Sequence, residues 1–185
     1  MWHYWLAALL LFAGGGALAD EKLSLCHGYG CLTFAEIRYD DGQLQEIRRL
    51  LNLAVDASEE RKFLALAIGR LYGWAGEQSE IRNDRAGNYA DGDLPGKMDC
   101  IDHSTSTTRL LRVLEAQGML RWHRVLEPAV RHWGFVFPAH WSAVIEENAG
   151  GEAARFVVDS WFVDNGEPAV ILPLDEWKEG AGPNV

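Results

Sequence analysis

An α+β domain is the architecture this chain predicts, on three observations. Apolar residues in the first half recur at helical spacing. A second helical pattern starts at about Cys100. Beyond it, short segments rich in Val, Ile, Phe and Trp alternate with turn residues, as in an antiparallel meander. Helices first and strands second along one chain is the order that α+β domains adopt.

The N-terminal stretch stands apart from that domain. Residues 1–19 contain no Asp, Glu, Lys or Arg. Trp5 to Ala13 is an apolar run, Gly14-Gly15-Gly16 breaks it, and Ala17-Leu18-Ala19 supplies small residues two apart before Asp20. Apolar core, breaker and small-residue site in that order predict a secretory signal peptide over 1–19 and a mature domain over 20–185. The apolar run is short for a bilayer span, so no stable membrane span is expected after cleavage. The competing reading is an uncleaved N-terminal anchor. The expected location is the periplasm or the exterior.

The mature part then reads as follows. From about Phe34 to Tyr72 the pattern is helical: Ile47, Leu50, Leu51 and Ala54 form one stripe, and Phe63, Leu66, Ala67 and Leu71 another. Asp56 followed by Glu59 marks a helix N-terminus. Asn83 to Lys97 is a polar loop, long for a compact domain, and long loops often carry function. A helix from about Cys100 to Gln117 places Ile101, Thr105, Thr108, Leu111 and Leu114 on one stripe and stops at Gly118. Leu120–Glu127, Trp133–Phe137, Trp141–Glu146 and Phe156–Phe162 read as strands. Pro128, Pro138 and Asn148-Ala149-Gly150-Gly151 separate them. Val170-Ile171-Leu172 predicts a short further strand and Leu174 to Lys178 a brief final helix.

Composition bounds the function. With 185 residues, 48% hydrophobic and 24% charged, one domain with a real core is expected. The formal net charge is −10. Phosphate backbones need a basic face, so nucleic acid is not an expected partner.

The three cysteines are Cys26, Cys31 and Cys100. Export leaves one of an odd number unpaired. Cys26 and Cys31 bracket His27-Gly28-Tyr29-Gly30, a loop whose glycines allow a turn tight enough for a disulfide. The alternatives are a metal pair or two free thiols. With Cys26 and Cys31 joined, Cys100 is the free thiol.

Cys100 opens a helix, where unpaired N–H groups and the helix dipole favour a thiolate. The structural alternative is a buried cysteine acting as a small hydrophobe. His140 begins the strand Trp141–Glu146, a position from which an imidazole can face a cleft and exchange a proton with a thiol. His27, His103, His123 and His132 compete with it. His103 is the strongest of them, being one helical turn from Cys100. Asp159 stands in the apolar run Phe156–Phe162, where a buried carboxylate needs a partner; an imidazole N–H on a neighbouring strand is the obvious one. Asp99, Asp102 and Asp164 are the other carboxylates weighed for this role.

The segments Met98-Asp99-Cys100-Ile101-Asp102, His140-Trp141-Ser142-Ala143-Val144-Ile145 and Val157-Val158-Asp159-Ser160-Trp161 carry a resemblance. In that order and spacing, over about Leu94 to Phe162, the chain resembles the papain-like transglutaminase superfamily, especially its bacterial transglutaminase-like cysteine proteases. Asp159-Ser160-Trp161 is similar to the Asn-Ser-Trp of papain-type enzymes. The resemblance implies a papain/transglutaminase-like fold, a Cys100–His140–Asp159 triad, a thioester intermediate and a protein or peptide substrate. It implies no cofactor. Ile101 stands where these proteases often carry an acidic residue, so no calcium site is carried over. The Cys100 backbone N–H is the expected first donor of an oxyanion hole, with Asn88 or Tyr89 as candidates for the second. Trp122, Trp133, Trp141 and Trp161 are candidates for a substrate groove or for core packing.

Two other classes compete. One is a binding or scaffold domain of the cell envelope that keeps the fold without activity. The other is a metal protein using Cys100 with His103 or His140. The sequence has no CxxC or HExxH spacing to support a metal, so none is expected.

Overall fold

The computed structural model describes residues 20–87, 94–132, 139–148 and 154–184. It is an α+β arrangement in which two antiparallel sheets enclose helices. In order, the elements are β1 (Glu21–His27), β2 (Thr33–Tyr39), α1 (Asp41–Leu51), α2 (Ala57–Gln78) and α3 (Cys100–Ala116). Then come β3 (His123–Arg131), β4 (His140–Glu147), β5 (Arg155–Asp159), β6 (Val170–Pro173) and α4 (Leu174–Lys178). A single 3₁₀ turn, Glu80–Asn83, follows α2. Among the described residues no helix is long and apolar enough to cross a membrane.

The described residues begin with two strands, the second of which, Thr33–Tyr39, corrects the expected helical reading from Phe34 onward. β1 and β2 form a hairpin with Leu25 opposite Ala35 and Leu23 opposite Ile37. In β2, Ile37 and Tyr39 are buried while Glu36 and Arg38 are exposed. That is a period-2 pattern too short to outweigh the helical stripe that follows. The helical prediction holds from Asp41. Asp40 caps α1 with a reciprocal Gln43 contact, and Asp56 caps α2 by accepting the Glu59 N–H at 2.8 Å.

The second sheet is a meander, β3-β4-β5-β6, antiparallel throughout. Pro128 was expected to end a strand. Instead β3 runs through it, because the register shifts between Leu126 and Ala129 and this edge strand needs no ladder N–H there. β5 stops at Asp159, so Ser160–Phe162 leave the sheet as a turn. The predicted strand Trp133–Phe137 lies outside the described residues. The final helix and the short β6 fall where expected.

α3 packs between the hairpin and β4 and joins the two sheets. Leu110, Leu111 and Leu114 enter a core with Leu64, Ile68, Ala143 and Ile145. Of the five residues of the expected stripe, Thr108, Leu111 and Leu114 are buried and two are not. Ile101 is exposed and Thr105 half-buried, while Asp102, His103, Ser106 and Thr107 are buried. A polar buried face is invisible to hydrophobic periodicity, and it persists because each group finds a hydrogen bond.

Cys26 and Cys31 are joined as a disulfide. The loop between them has positive φ at Gly28, Tyr29, Gly30 and Cys31. Successive N–H groups in this conformation turn to one side, and here they meet carboxylates at the start of α3. Tyr29 and Cys31 donate to Asp102, Gly30 donates to Asp99, and Gly28 N–H reaches the Lys97 carbonyl at 2.8 Å. The bridge therefore clamps the hairpin onto the N-terminus of α3. Opening a loop this short should lower stability by about 2 kcal/mol through chain entropy. Urea unfolding of Cys31→Ser against the wild type measures it; an unchanged midpoint would remove the clamp from the account.

Candidate active site

Cys100 is the first residue of α3, and Asp99 is its cap. The Asp99 carboxylate takes the N–H groups of Ile101 and Asp102, while the Asp102 side chain returns to the Asp99 N–H. This reciprocal box fixes where the helix begins, and so where the thiol stands. The approach is equally constrained. Gly96 has φ of +80°, and a Cβ there would lie 1.8 Å from the Glu80 carbonyl oxygen.

His140 and Asp159 come from adjacent strands. Alternation puts His140, Ser142 and Val144 on one face of β4, and Val157 lies opposite Val144. Asp159, two residues beyond Val157, shares that face. The His140 Nε2 donates to Asp159 Oδ2 at 2.7 Å. A carboxylate only accepts, so Nε2 carries the proton and Nδ1 is the unprotonated ring nitrogen. Asp159 is held by two more donors: the Trp177 indole N–H at 3.0 Å and the Trp161 backbone N–H at 3.3 Å. Trp161, Phe162 and Trp177 stand around the imidazole with ring centroids 4.7, 5.4 and 5.6 Å away. The His–Asp bond is thus shielded from water, and the imidazole side chain itself retains 13% exposure.

Cys100 packs against the same apolar cluster. Its sulfur donates to the carbonyl of Ala139, the residue before His140, at 3.6 Å. The three predicted residues therefore border one aromatic cluster, Cys100 by packing and His140 and Asp159 through their shared bond and the Trp161 and Trp177 contacts. Asp99, Asp102 and Asp164 serve elsewhere: the first two cap α3 and hold the disulfide loop, and Asp164 accepts the Ala86 N–H.

Two of the four rival histidines, His103 and His123, are committed to other bonds. His103 uses both ring nitrogens, Nε2 with Asp84 at 2.9 Å and Nδ1 with the Ser160 hydroxyl at 2.8 Å. It is one turn from Cys100 and buried beneath it, and it is bound away from the thiol. His123 is buried against Glu60 at 2.8 Å. His27 is buried at the end of β1 and His132 is exposed.

One expectation is reversed. The helix start was expected to lower the Cys100 pKa, but burial pushes the thiol up. The Trp141 and Cys100 N–H groups act in the opposite direction, and the charges of Asp99 and Asp159 add to the rise. The surroundings of the sulfur thus disfavour the thiolate relative to an ordinary cysteine.

Sequence reasoning missed Trp177 and Asp84. A tryptophan in a five-residue helix at the far end of the chain carries no local sign that its N–H meets Asp159. Asp84 sits in a polar loop and reads as a surface residue, yet it is buried. The oxyanion candidates Asn88 and Tyr89, and the groove candidate Trp133, lie outside the described residues. Trp141 is exposed beside His140; Trp161 is buried over it. The cysteine pair forms a disulfide, so Cys26 and Cys31 supply no thiolates for a metal. No known protein family, curated protein or solved structure matches this chain.

Proposed function

We propose that this chain is an exported cysteine-dependent peptidase or amidase, or an acyltransferase of the same mechanism, with a papain/transglutaminase-like fold. Cys100 is the nucleophile, His140 the general base and acid, and Asp159 the residue that orients His140. The observation that carries the reading is the 2.7 Å His140–Asp159 bond beside a thiol in contact with the residue preceding His140. Export is supported by the disulfide, which belongs to an oxidising compartment.

The mechanism follows from the tautomer. As Cys100 Sγ attacks a carboxamide carbon, His140 Nδ1 takes the thiol proton, and Asp159 stabilises the imidazolium through Nε2–H. Collapse of the tetrahedral intermediate breaks the C–N bond, and Nδ1–H protonates the departing amine. The product is a thioester on Cys100. Water resolves it in hydrolysis, an amine in acyl transfer. The Cys100 backbone N–H is one donor to the developing oxyanion. Burial, which raises the resting thiol pKa, protects the thiol from oxidation between turnovers, because the thiolate is the reactive form.

The test is a thiol-directed activity probe on the full chain with Cys100→Ala beside it. Labelling of the wild type at Cys100, lost in the variant, is expected. Labelling that survives the substitution, or that maps to Cys26 or Cys31, would overturn the assignment. A folded wild type whose Cys100 stays inert to iodoacetamide at neutral pH would point to a binding domain instead.

A further inference from the structure

A second polar constellation lies directly beneath the proposed triad, and the mechanism above does not use it. Asp84 is its hub. One carboxylate oxygen accepts the Met98 N–H at 2.9 Å, and the other meets His103 Nε2 at 2.9 Å. Met98 precedes Cys100 by two residues and His103 follows it by three. One buried carboxylate therefore ties down the chain on both sides of the thiol.

His103 then reaches the other half of the site. Its Nδ1 lies 2.8 Å from the Ser160 hydroxyl, and Ser160 follows Asp159 directly. Consecutive residues leaving a strand face opposite ways, so Asp159 turns to His140 while Ser160 turns to His103. The chain of bonds continues from Ser160 to Thr107 at 2.9 Å and from Thr107 to Tyr72 at 3.0 Å. Asp84 can only accept, so His103 donates from Nε2 and accepts at Nδ1. Ser160 then donates to His103 and accepts from Thr107, while the Tyr72 hydroxyl lies 3.0 Å from the Thr107 hydroxyl and donates toward the His103 carbonyl at 3.4 Å. Ser160 is 5% exposed and bonded on two sides, which denies it the role of a second nucleophile.

We propose that Asp84, His103 and Ser160 are positioning residues that set the separation between the Cys100 thiol and His140. The proposal rests on the Cys–His–Asp reading. The thiol and the orienting carboxylate sit on different elements, a helix and a strand end. Two described bonds join the thiol's helix to the strand end carrying Asp159, His103–Ser160 and Thr107–Ser160, and both end on the Ser160 hydroxyl. A buried network with every member paired admits one geometry, whereas apolar packing alone tolerates sliding. Proton transfer needs heavy atoms about 2.6–3.2 Å apart, and a misplacement of about 1 Å can cost roughly 100-fold in rate.

The test uses the full chain and the pH profile of Cys100 alkylation by iodoacetamide, with thermal melts alongside. Ser160→Ala removes one hydroxyl. His103→Gln keeps a donor for Asp84 and cannot also span to Ser160. His140→Ala supplies the profile of an unassisted thiol. Both positioning variants should stay folded and lose about 10- to 100-fold in rate at neutral pH, with profiles moved toward that of His140→Ala. A merely structural role would lower the melting temperature and leave the profile in place, and that result overturns the proposal. If His103→Gln does not fold, Ser160→Ala decides alone. A wild type whose profile already matches His140→Ala would instead sink the underlying Cys–His reading.

Discussion

Replacing His140 with alanine should slow alkylation of Cys100 at neutral pH by about 100- to 1000-fold, the range a positioned general base contributes. The reason lies in the thiol's surroundings. Burial disfavours the Cys100 thiolate, and Asp99 and Asp159 add negative charge nearby. Without an imidazole to receive the proton, the reactive thiolate forms only at alkaline pH. The variant's rate should therefore climb steadily with pH, while the wild type holds its rate through neutrality. Asp159→Asn tests the same geometry from the other side. An amide N–H facing Nε2 would turn Nε2 into an acceptor and place the ring proton on Nδ1, toward the thiol, where it blocks proton uptake. Its profile should approach that of His140→Ala. Wild-type rates in both variants would show that the 2.7 Å bond has no part in activating Cys100.

The largest stability effect is expected far from the thiol. Replacing His123 with leucine should cost about 3–5 kcal/mol, because it strips a buried carboxylate of its partner. Glu60 and the His123 side chain are fully buried and 2.8 Å apart. Glu60 also accepts the N–H groups of Arg121 at 2.7 Å and Trp122 at 3.1 Å. Arg61 donates to the far nitrogen of His123 at 3.1 Å and to Glu147 at 3.1 Å. Since arginine only donates, His123 accepts there and donates from Nδ1 to Glu60, relaying the cation's influence to the buried charge. The site staples α2 to the start of β3. Urea unfolding checks the size of the loss; a change below about 1 kcal/mol would mean that water or the two N–H groups suffice.

The same pair dictates a pH dependence. Burial pushes the Glu60 carboxyl up, but His123 and the N–H groups of Arg121 and Trp122 outweigh it and hold it below its ordinary value. A carboxyl depressed in the folded state contributes stability that is complete above its unfolded pKa, about 4.3. That contribution is lost as pH falls through the folded value. The wild type should therefore lose this increment only in the acid range. In His123→Leu the depression is relieved, so this acid-side loss should shrink or disappear.

Much of the site was legible because its residues carry local signals. Asp99 is a cap, so Cys100 is the first residue of a helix whatever the helix packs on. His140 follows Pro138-Ala139 and opens an apolar strand. Asp159 is a carboxylate in an apolar run, which asks for a partner. The disulfide followed from two cysteines around a glycine loop. Less was legible where the determining contact is distant. The hairpin at the N-terminus was missed because β2 is only seven residues long and its alternation merges into the next helix. Two of the five residues of the α3 stripe, Ile101 and Thr105, were misassigned, because the buried face there is polar and hydrophobic periodicity cannot register it.

The sequence by itself determined that one cysteine stays unpaired, that it opens a helix, and that a histidine and an aspartate follow on successive strands. Local chemistry is enough for that: capping, turn residues and β-pattern act within a few residues. Only the tertiary structure decided what each histidine bonds to, His103 to Asp84 and Ser160 through both ring nitrogens and His140 to Asp159 through Nε2. It also decided the sign of the thiol's pKa shift. The helix N-terminus acts from within a single turn. The desolvation that overrides it comes from β4 and from the aromatic residues at the end of β5 and in α4, brought over Cys100 from more than thirty-five residues away.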